Sequence, residues 1–311
     1  MVALTEQYSS GNFAEQLILA RSVGGAFRLQ RRFVVRLSGG DAFRYLNGQV
    51  TRDLSRLTSG EALNACLLTP RGKLCAPLLI HWEDGDLLVE TDSMLGESLL
   101  ARLDRYIVAD DVILSVEPIK EVIHLFGEAA SDKHWEHVPG LRTTRLNCAG
   151  LDLLEERLAE ATLPSLIDPS VIETLRIEQG IPIWGRELTV DTLPPEVGLE
   201  RTHIDYDRGC YPGQEVISRL KSIGRVNRLL HRVISEPGDL LCAEMTIHKD
   251  GGDKIGFISS ASPQFDTGSW VGLAVLPRGV SITSEGSGII FALDPLTGEK
   301  TPISISEITG S

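Results

Sequence analysis

The stretch "YDRGCYPGQEVISRL" (Tyr206–Leu220) decides how this chain is read. Cys210 follows Gly209 and precedes Tyr211, Pro212 and Gly213, residue types that make a turn and not a packed strand. From Gln214 onward, Val216, Ile217 and Leu220 fall at helical spacing, which predicts a short amphipathic helix ending near Gly224. With that helix beginning near Pro212 or Gly213, Cys210 lies just beyond its amino end. There the helix dipole and the neighbouring Arg208 favour the thiolate. A free cysteine is as readily a small apolar filler, and the local residues leave both readings open.

Upstream, "DTLPPEVGLE" (191–200) holds Glu196 behind two prolines and ahead of an apolar element. Such a carboxylate is either a solvated loop or helix-start charge or a fixed acceptor for a ligand with two adjacent donors. A pterin edge, with its ring N–H and 2-amino group, is a ligand of that kind. "HWEH" (134–137) spaces His134 and His137 three apart, so on a helix they share a face. No third metal ligand stands near them, so two surface histidines are the better reading of the motif. Dinucleotide-binding, phosphate-loop and nucleophile-elbow motifs are all missing.

Around these motifs the pattern predicts an α+β body followed by an all-β tail. The first 30 residues open with a helix or loop carrying Phe13, Leu17 and Leu19. "RFVVRLSGG" reads as a strand, and Asp41 is the expected N-cap of a short helix with Phe43, Tyr45 and Leu46 inward. Residues 61–92 read as an antiparallel meander turning at "TPRG" and "EDGD". A helix with Leu95, Leu99, Leu100 and Leu103 on one face follows, and then strand character through "VILSVEPIKEVIHLFG". In "DPSVIETLRIEQGIP", Asp168, Pro169, Gly180 and Pro182 punctuate a helix at both ends. Beyond residue 227 short strands alternate with turns, as in a small barrel or sandwich. The expected division is therefore 1–227 for the body and 228–311 for a C-terminal β-barrel.

A chain of 311 residues exceeds one ordinary core, which predicts two or three domains. Its net charge of -13 opposes a nucleic-acid backbone as main partner but leaves small anions open. The five cysteines form no C-x-x-C pair and are odd in number, pointing away from a disulfide framework and toward a reducing compartment. The first 27 residues carry a single basic residue, Arg21, with Glu6 and Glu15, a poor targeting signal. No run approaches the roughly 18 apolar residues of a membrane span. The expectation is a soluble, cytoplasmic protein, or one of an organellar matrix after removal of a transit peptide.

"RGCYPGQEVISR" (208–219) resembles the K-G-C-[aromatic]-x-G-Q-E signature of the YgfZ-type folate-binding proteins. These are paralogues of the glycine-cleavage T-protein, an aminomethyltransferase, and have mitochondrial relatives in iron–sulfur assembly. The likeness extends, in order, to residues 42–74, 175–200 and 254–279. The resemblance implies a T-protein-like body around a central folate cavity, with tetrahydrofolate or a one-carbon derivative as cofactor. It implies that Glu196 is the pterin acceptor and Cys210 the functional thiol. It further implies folate contacts from Arg208, Gly209, Tyr211 and Gln214, and no metal site. Arg208 replaces the family's lysine, which keeps charge and changes geometry. T-protein enzymes, which the chain resembles, carry paired aspartates after a G-G-x-x turn, a stretch that is a strand in the meander expected here. Here that strand reads "RGKLCAPLLI", with Cys75, Ala76 and Pro77 and no carboxylate. The implied role is therefore folate-dependent support of iron–sulfur enzyme synthesis or repair, acting with assembly or client proteins. The alternative is a tetrahydrofolate-dependent aminomethyl- or methyltransferase.

Overall fold

The computed structural model describes residues 11–30, 32–158, 165–222, 224–249, 252–264, 266–280 and 290–308. Within them the aliphatic, β-branched runs pair into three antiparallel sheets, with strands numbered here along the chain. The first sheet runs β3 (Leu63–Leu68), β4 (Leu74–Glu83), β5 (Asp86–Asp92), β2 (Arg32–Ser38), β6 (Ile113–Val116). Its β4–β5 turn places Asp84 and Gly85 at φ 54° and 89°, the left-handed pair that suits a tight hairpin. Helices α2 (Ala42–Asn47) and α3 (Gly96–Asp104) bury Leu46, Leu99 and Leu103 in one core with Val35, Leu37 and Ile80.

The second sheet has the order β1 (Gly24–Arg28), β7 (Val122–Gly127), β9 (Gly150–Leu154), β8 (Gly140–Thr143). Helices α1 (Gly11–Ser22) and α4 (Pro169–Glu178) pack beside it through Phe13, Leu17, Phe126, Val171 and Leu175. Asp168 caps α4 by accepting from the Ser170 amide at 2.8 Å. Gly180, at φ 68°, ends it as the sequence predicts.

The third sheet runs β12 (Lys254–Phe257), β11 (Thr246–Lys249), β15 (Ile290–Leu293), β16 (Lys300–Glu307), β10 (Arg228–Ser235), β14 (Ser269–Pro277), β13 (Ser260–Gln264). It curls into a half-barrel over Val233, Ile247, Ile258, Ala274 and Ile305. The curl brings β12 against β14 so closely that a Cβ on Gly256 would stand 2.4 Å from Leu276. Helix α5 (Gln214–Ser222) precedes this sheet and buries Ile217 fully, with Val216 and Leu220 half-buried. The whole is the α+β architecture expected, with an all-β C-terminal sheet.

Local expectations fail in instructive places. Leu19 is 54 % exposed and Ala20 takes the inward position on α1. Phe43 faces outward and stacks on Trp82, while Ala42 is buried with Tyr45 and Leu46. Asp41 sits at the cap position without capping α2, because its carboxylate accepts from the Asp111 amide at 2.9 Å. "VILSVEPIKEVIHLFG" is two strands in two sheets, split after Pro118 by the residues that carry the chain across. "DKIGFISSA" likewise divides between β12 and β13, and β16 was not anticipated. Residues 1–10 of the N-terminal expectation and 287–289 of "SGIIFAL" lie outside the described residues. Among the described residues, no helix is long and apolar enough to cross a membrane.

Candidate functional site

Cys210 lies in the turn between residue 205 and α5, and it is the one exposed cysteine of the five. Helix α5 starts four residues further on, at Gln214. The Arg208 guanidinium is engaged with main-chain carbonyls. Its Nη1 donates to the Val50 carbonyl at 2.8 Å and to that of Arg52, its Nη2 to that of Asn47 at 2.5 Å, and its Nε to that of Gly209 at 3.1 Å. The guanidinium thus clamps the turn to the chain leaving α2, a fork that a lysine ammonium does not match. Gln214 closes the loop from the other side, donating from Nε2 to the Arg208 carbonyl at 3.3 Å. Tyr211 is buried, joining Cys66, Leu68, Ile217 and Leu273 in one apolar cluster.

The two glycines of the signature have different tasks. Gly213 has φ 85°, and a Cβ there would meet the Thr69 carbonyl oxygen at 2.5 Å and Gly72 Cα at 2.9 Å. The loop is therefore seated on the β3–β4 turn, where only glycine fits. Gly209 has no left-handed φ, and a Cβ there would meet nothing within 4 Å. Open space beside Cys210 is what its lack of a side chain secures. The remaining thiols are covered: burial pushes those of Cys66, Cys75, Cys148 and Cys242 up. His134 stands edge-on to Trp135. Among the described residues no three His, Cys, Asp or Glu side chains group as metal ligands.

A cavity of about 1600 Å³ opens between the three sheets. Pro77, Leu78 and Leu79 of β4 form one wall, with Phe27 of β1, the start and end of α4, and Ala261 of β13. Its lining holds seven arginines against four carboxylates, on a chain of net charge -13. The four carboxylates all have partners. Asp168 caps α4, Asp92 accepts from the Met94 amide, Glu173 pairs with Arg176 and Arg186, and Glu178 with Arg21. Arg145 is fixed in a buried cluster, donating to Glu90 at 2.7 and 2.9 Å and to Asp152 at 2.9 and 2.6 Å. His124 Nδ1 adds a 2.7 Å contact to Asp152. Burial alone would raise both carboxyls, but the Arg145 charge outweighs it and holds each below its ordinary range.

Arg201 and Arg232 differ from the other lining arginines. Each donates only to a main-chain carbonyl, of Ile308 and Glu178 respectively, and neither has an ion-pair partner among the described residues. The Nε of Arg232 is buried without any hydrogen-bond partner. A buried donor left open in this way costs free energy unless a ligand or water accepts from it. The wall is thus prepared for an anion.

Glu196 borders a second recess of about 240 Å³, which shares Val197, Gly198, Arg201 and Ile308 with the large cavity. The side chain is 5 % exposed, and Oε2 accepts from the Leu193 amide at 3.1 Å. Oε1 has only a long contact, 3.4 Å to Arg228 Nε. None of Arg208, Gly209, Cys210, Tyr211 and Gln214 lines the cavity or the recess.

Cavity and thiol loop nevertheless share one segment. Thr202 and His203 line the cavity, while their carbonyls accept from Arg52 Nη1 and Thr51 Oγ1, each at 2.5 Å. Asp205 accepts from the Asp53 amide at 3.0 Å and pairs with Arg52 and Arg56 at 3.0 and 3.1 Å. Burial, then the Arg52 charge, pulls the His203 imidazole down to about 4, so it is neutral at pH 7. Sequence reasoning passed over Thr51, Arg52, Asp205, Arg201 and Arg232. The only signal for the first two was their place in the family-like stretch 42–74; nothing local marked the others.

No family model matches the chain. It is 26 % identical over 265 residues to a "tRNA-modifying protein YgfZ" of Aliivibrio fischeri, spanning 79 % of this chain and 82 % of that protein. An "Aminomethyltransferase" of Halalkalibacterium halodurans is 24 % identical over 311 residues, spanning 88 % and 84 %. An "Iron-sulfur cluster assembly factor IBA57 homolog, mitochondrial" of Phaeosphaeria nodorum is 26 % identical over 240 residues, spanning 70 % and 57 %. Among solved structures, the glycine cleavage system aminomethyltransferase T from Bartonella henselae superposes with a TM-score of 0.77. It is 14 % identical, and the match covers 95 % of this chain and 88 % of that one.

Proposed function

We propose that this chain is a YgfZ-type member of the T-protein superfamily, that it binds a tetrahydrofolate and that it supports the synthesis or repair of iron–sulfur enzymes. The observation that carries the reading is an exposed thiol, Cys210, on a loop braced by Arg208, Gln214 and Gly213 and joined through residues 202–205 to an arginine-lined cavity. The residues fit a folate. Arg232, with its open buried Nε, and Arg201 would take the glutamate carboxylates. Glu196, whose Oε1 has only a long contact, would accept from the pterin ring where the recess adjoins the cavity. When bound, the folate supplies a reduced ring able to carry a one-carbon unit. Arg208, Tyr211 and Gln214 serve the thiol loop in this reading, and Gly209 keeps its approach open.

Two features speak against aminomethyl transfer. Positions 75–77 on β4 carry Cys, Ala and Pro, and every carboxylate lining the large cavity, unlike Glu200 in the adjoining recess, is engaged in an ion pair or a cap. A reaction that moves protons needs a positioned acid or base. The cytoplasm or an organellar matrix is the compartment this role implies.

Titration calorimetry with tetrahydrofolate tests the first half. Binding weakened roughly tenfold or more in Glu196→Ala and in Arg232→Ala, with folding intact, is expected from the loss of charge-assisted bonds. Unchanged affinity in both variants would remove these residues from the site. Complementation of cells lacking the protein tests the second half. Cys210→Ser should bind folate and fail to restore iron–sulfur enzyme activity, and purified protein should form no methylenetetrahydrofolate from an aminomethyl-lipoyl carrier.

A further inference from the structure

The Cys210 segment and the turns it sits on carry an excess of exposed cations on an otherwise acidic molecule. Five exposed cations stand on the elements that hold the loop: Arg56, Arg71, Arg219, Lys221 and Arg225. Arg56 is anchored through Asp205 at 3.1 Å, and Arg71 lies on the β3–β4 turn that receives Gly213. Lys221 Nζ sits 3.8 Å from the centre of the Tyr206 ring, and Arg219 and Arg225 flank the end of α5. Along the described residues from 205 to 228 the exposed carboxylates are Asp207 and Glu215, and Glu215 pairs with Arg219 as Asp205 does with Arg56. Arg71 and Arg225 make no ion pair among the described residues, and the whole chain carries -13. A local positive field on an acidic body selects where an oppositely charged partner lands.

We propose that this collar is a docking surface for an acidic protein segment, which it steers so that a partner sulfur or metal centre meets Cys210. The geometry favours a protein over RNA. Among the described residues no exposed large hydrophobic side chain lies between 200 and 230, and Tyr211 is buried while Tyr206 is covered by Lys221, so these residues offer no platform on which bases stack. A long polyanion would also overlap the acidic remainder of the surface. Open space at Gly209 admits a partner backbone beside the sulfur. The surface is charged and not apolar, which fits a transient encounter whose rate is set by electrostatics. This inference does not require folate binding, so calorimetry with tetrahydrofolate and the kinetics below can fail separately.

The probe is a short peptide carrying one cysteine as a mixed disulfide with thionitrobenzoate, made in a glutamate-rich and a lysine-rich version. The Cys210 thiolate attacks the peptide sulfur, a new protein–peptide disulfide forms, and thionitrobenzoate leaves with the electron pair of the broken bond. Cys210→Ser supplies the background from other thiols. At low salt the acidic peptide should react about tenfold faster than the basic one, within the usual range of electrostatic steering. The ratio should approach one near 1 M salt, where the Debye length is about 3 Å. The combined variant Arg71→Glu, Arg219→Glu, Arg225→Glu should invert the low-salt preference while keeping the wild-type melting profile. Equal rates for the two peptides in the wild type, or a preference that the variant leaves unchanged, would overturn the proposal. So would an RNA duplex that binds the collar, is lost in the variant and blocks the acidic peptide.

Discussion

Replacing Arg208 by alanine removes four donated hydrogen bonds, three of which tie the thiol turn to Asn47, Val50 and Arg52. Hydrogen bonds from a charged group contribute ~1.5–3 kcal/mol each when lost with a buried partner. Three bridging bonds at that rate would sum to more than the substitution should cost. Asn47 and Arg52 are only half-buried, so water reaches their carbonyls once the guanidinium is gone; the Val50 carbonyl belongs to a buried residue and is stranded. Burial also lowers the Arg208 pKa, so part of the gain already offsets desolvation in the wild type. The expected loss is about 2–4 kcal/mol, a large share of the ~5–15 kcal/mol that stabilises a domain. Arg208→Lys keeps the charge but reaches fewer carbonyls, so about half that loss is expected. Urea unfolding followed by tryptophan fluorescence measures it, and Arg219→Ala serves as control. That residue makes only an exposed i,i+4 pair with Glu215, worth ~0.3–0.5 kcal/mol. Hydrogen exchange should show lost protection at the Asp205 amide, which donates across the same junction to the Thr51 carbonyl. A change in stability no larger than the control's, with Asp205 still protected, would refute the clamp.

Three other outcomes follow from the same geometry. Iodoacetamide at neutral pH should label Cys210 before Cys66, Cys75, Cys148 or Cys242, since burial raises those four thiols; peptide mass mapping that finds another cysteine first would contradict this. Gly213→Ala forces a Cβ onto the Thr69 carbonyl at positive φ and should destabilise by ~1–3 kcal/mol. Gly209→Ala should stay within ~0.5 kcal/mol of wild type. Equal melting temperatures for the two glycine variants would sink this distinction. Stability should also fall with acid in two stages. The unfolded chain protonates His203 near 6.5 whereas the native site resists until about 4, so that contribution is whole above pH 6.5 and is lost as pH falls between those values. Glu90 and Asp152 titrate below their ordinary 4.5 and 3.8, and their contribution is lost only as pH falls further. His203→Gln should lessen the fall in melting temperature between pH 6.5 and 4, where His81, also lowered by burial, contributes as well, and should leave the lower stage; an unchanged profile would exclude His203.

What the sequence discloses is what short-range physics decides. Asp168, Pro169 and Gly180 bound α4 through contacts within a turn of their own positions, and both ends stand where they were read. The spacing of Val216, Ile217 and Leu220 is likewise local, and it defines the buried face of α5. Phe43 was misread because a large ring predicts burial, yet Trp82 on the neighbouring strand offers it a partner at the surface. Asp41 was misread because a cap-competent carboxylate found a distant amide. The site shows the same division. Cys210 and its flanking glycines are legible as a motif, but the identity of Arg208's acceptors is a matter of tertiary approach. Nor does any local pattern show that Arg232 is left with an open Nε, which depends on how β10 meets the end of α4.

The Arg208 clamp also sets an order of events during synthesis. Its acceptors precede it by 156 to 161 residues, so the segment following α2 leaves the ribosome long before the side chain that will fasten it. Contacts of such sequence separation form late, after the entropy of closing the intervening chain has been overcome. Tyr211, the neighbour of Cys210, adds a second delay, because its cluster includes Val271 and Leu273 of β14. A nascent or truncated chain therefore has the cysteine without the seat that presents it. The finished thiol loop appears only when both halves of the molecule have met, which couples display of the reactive group to completion of the protein.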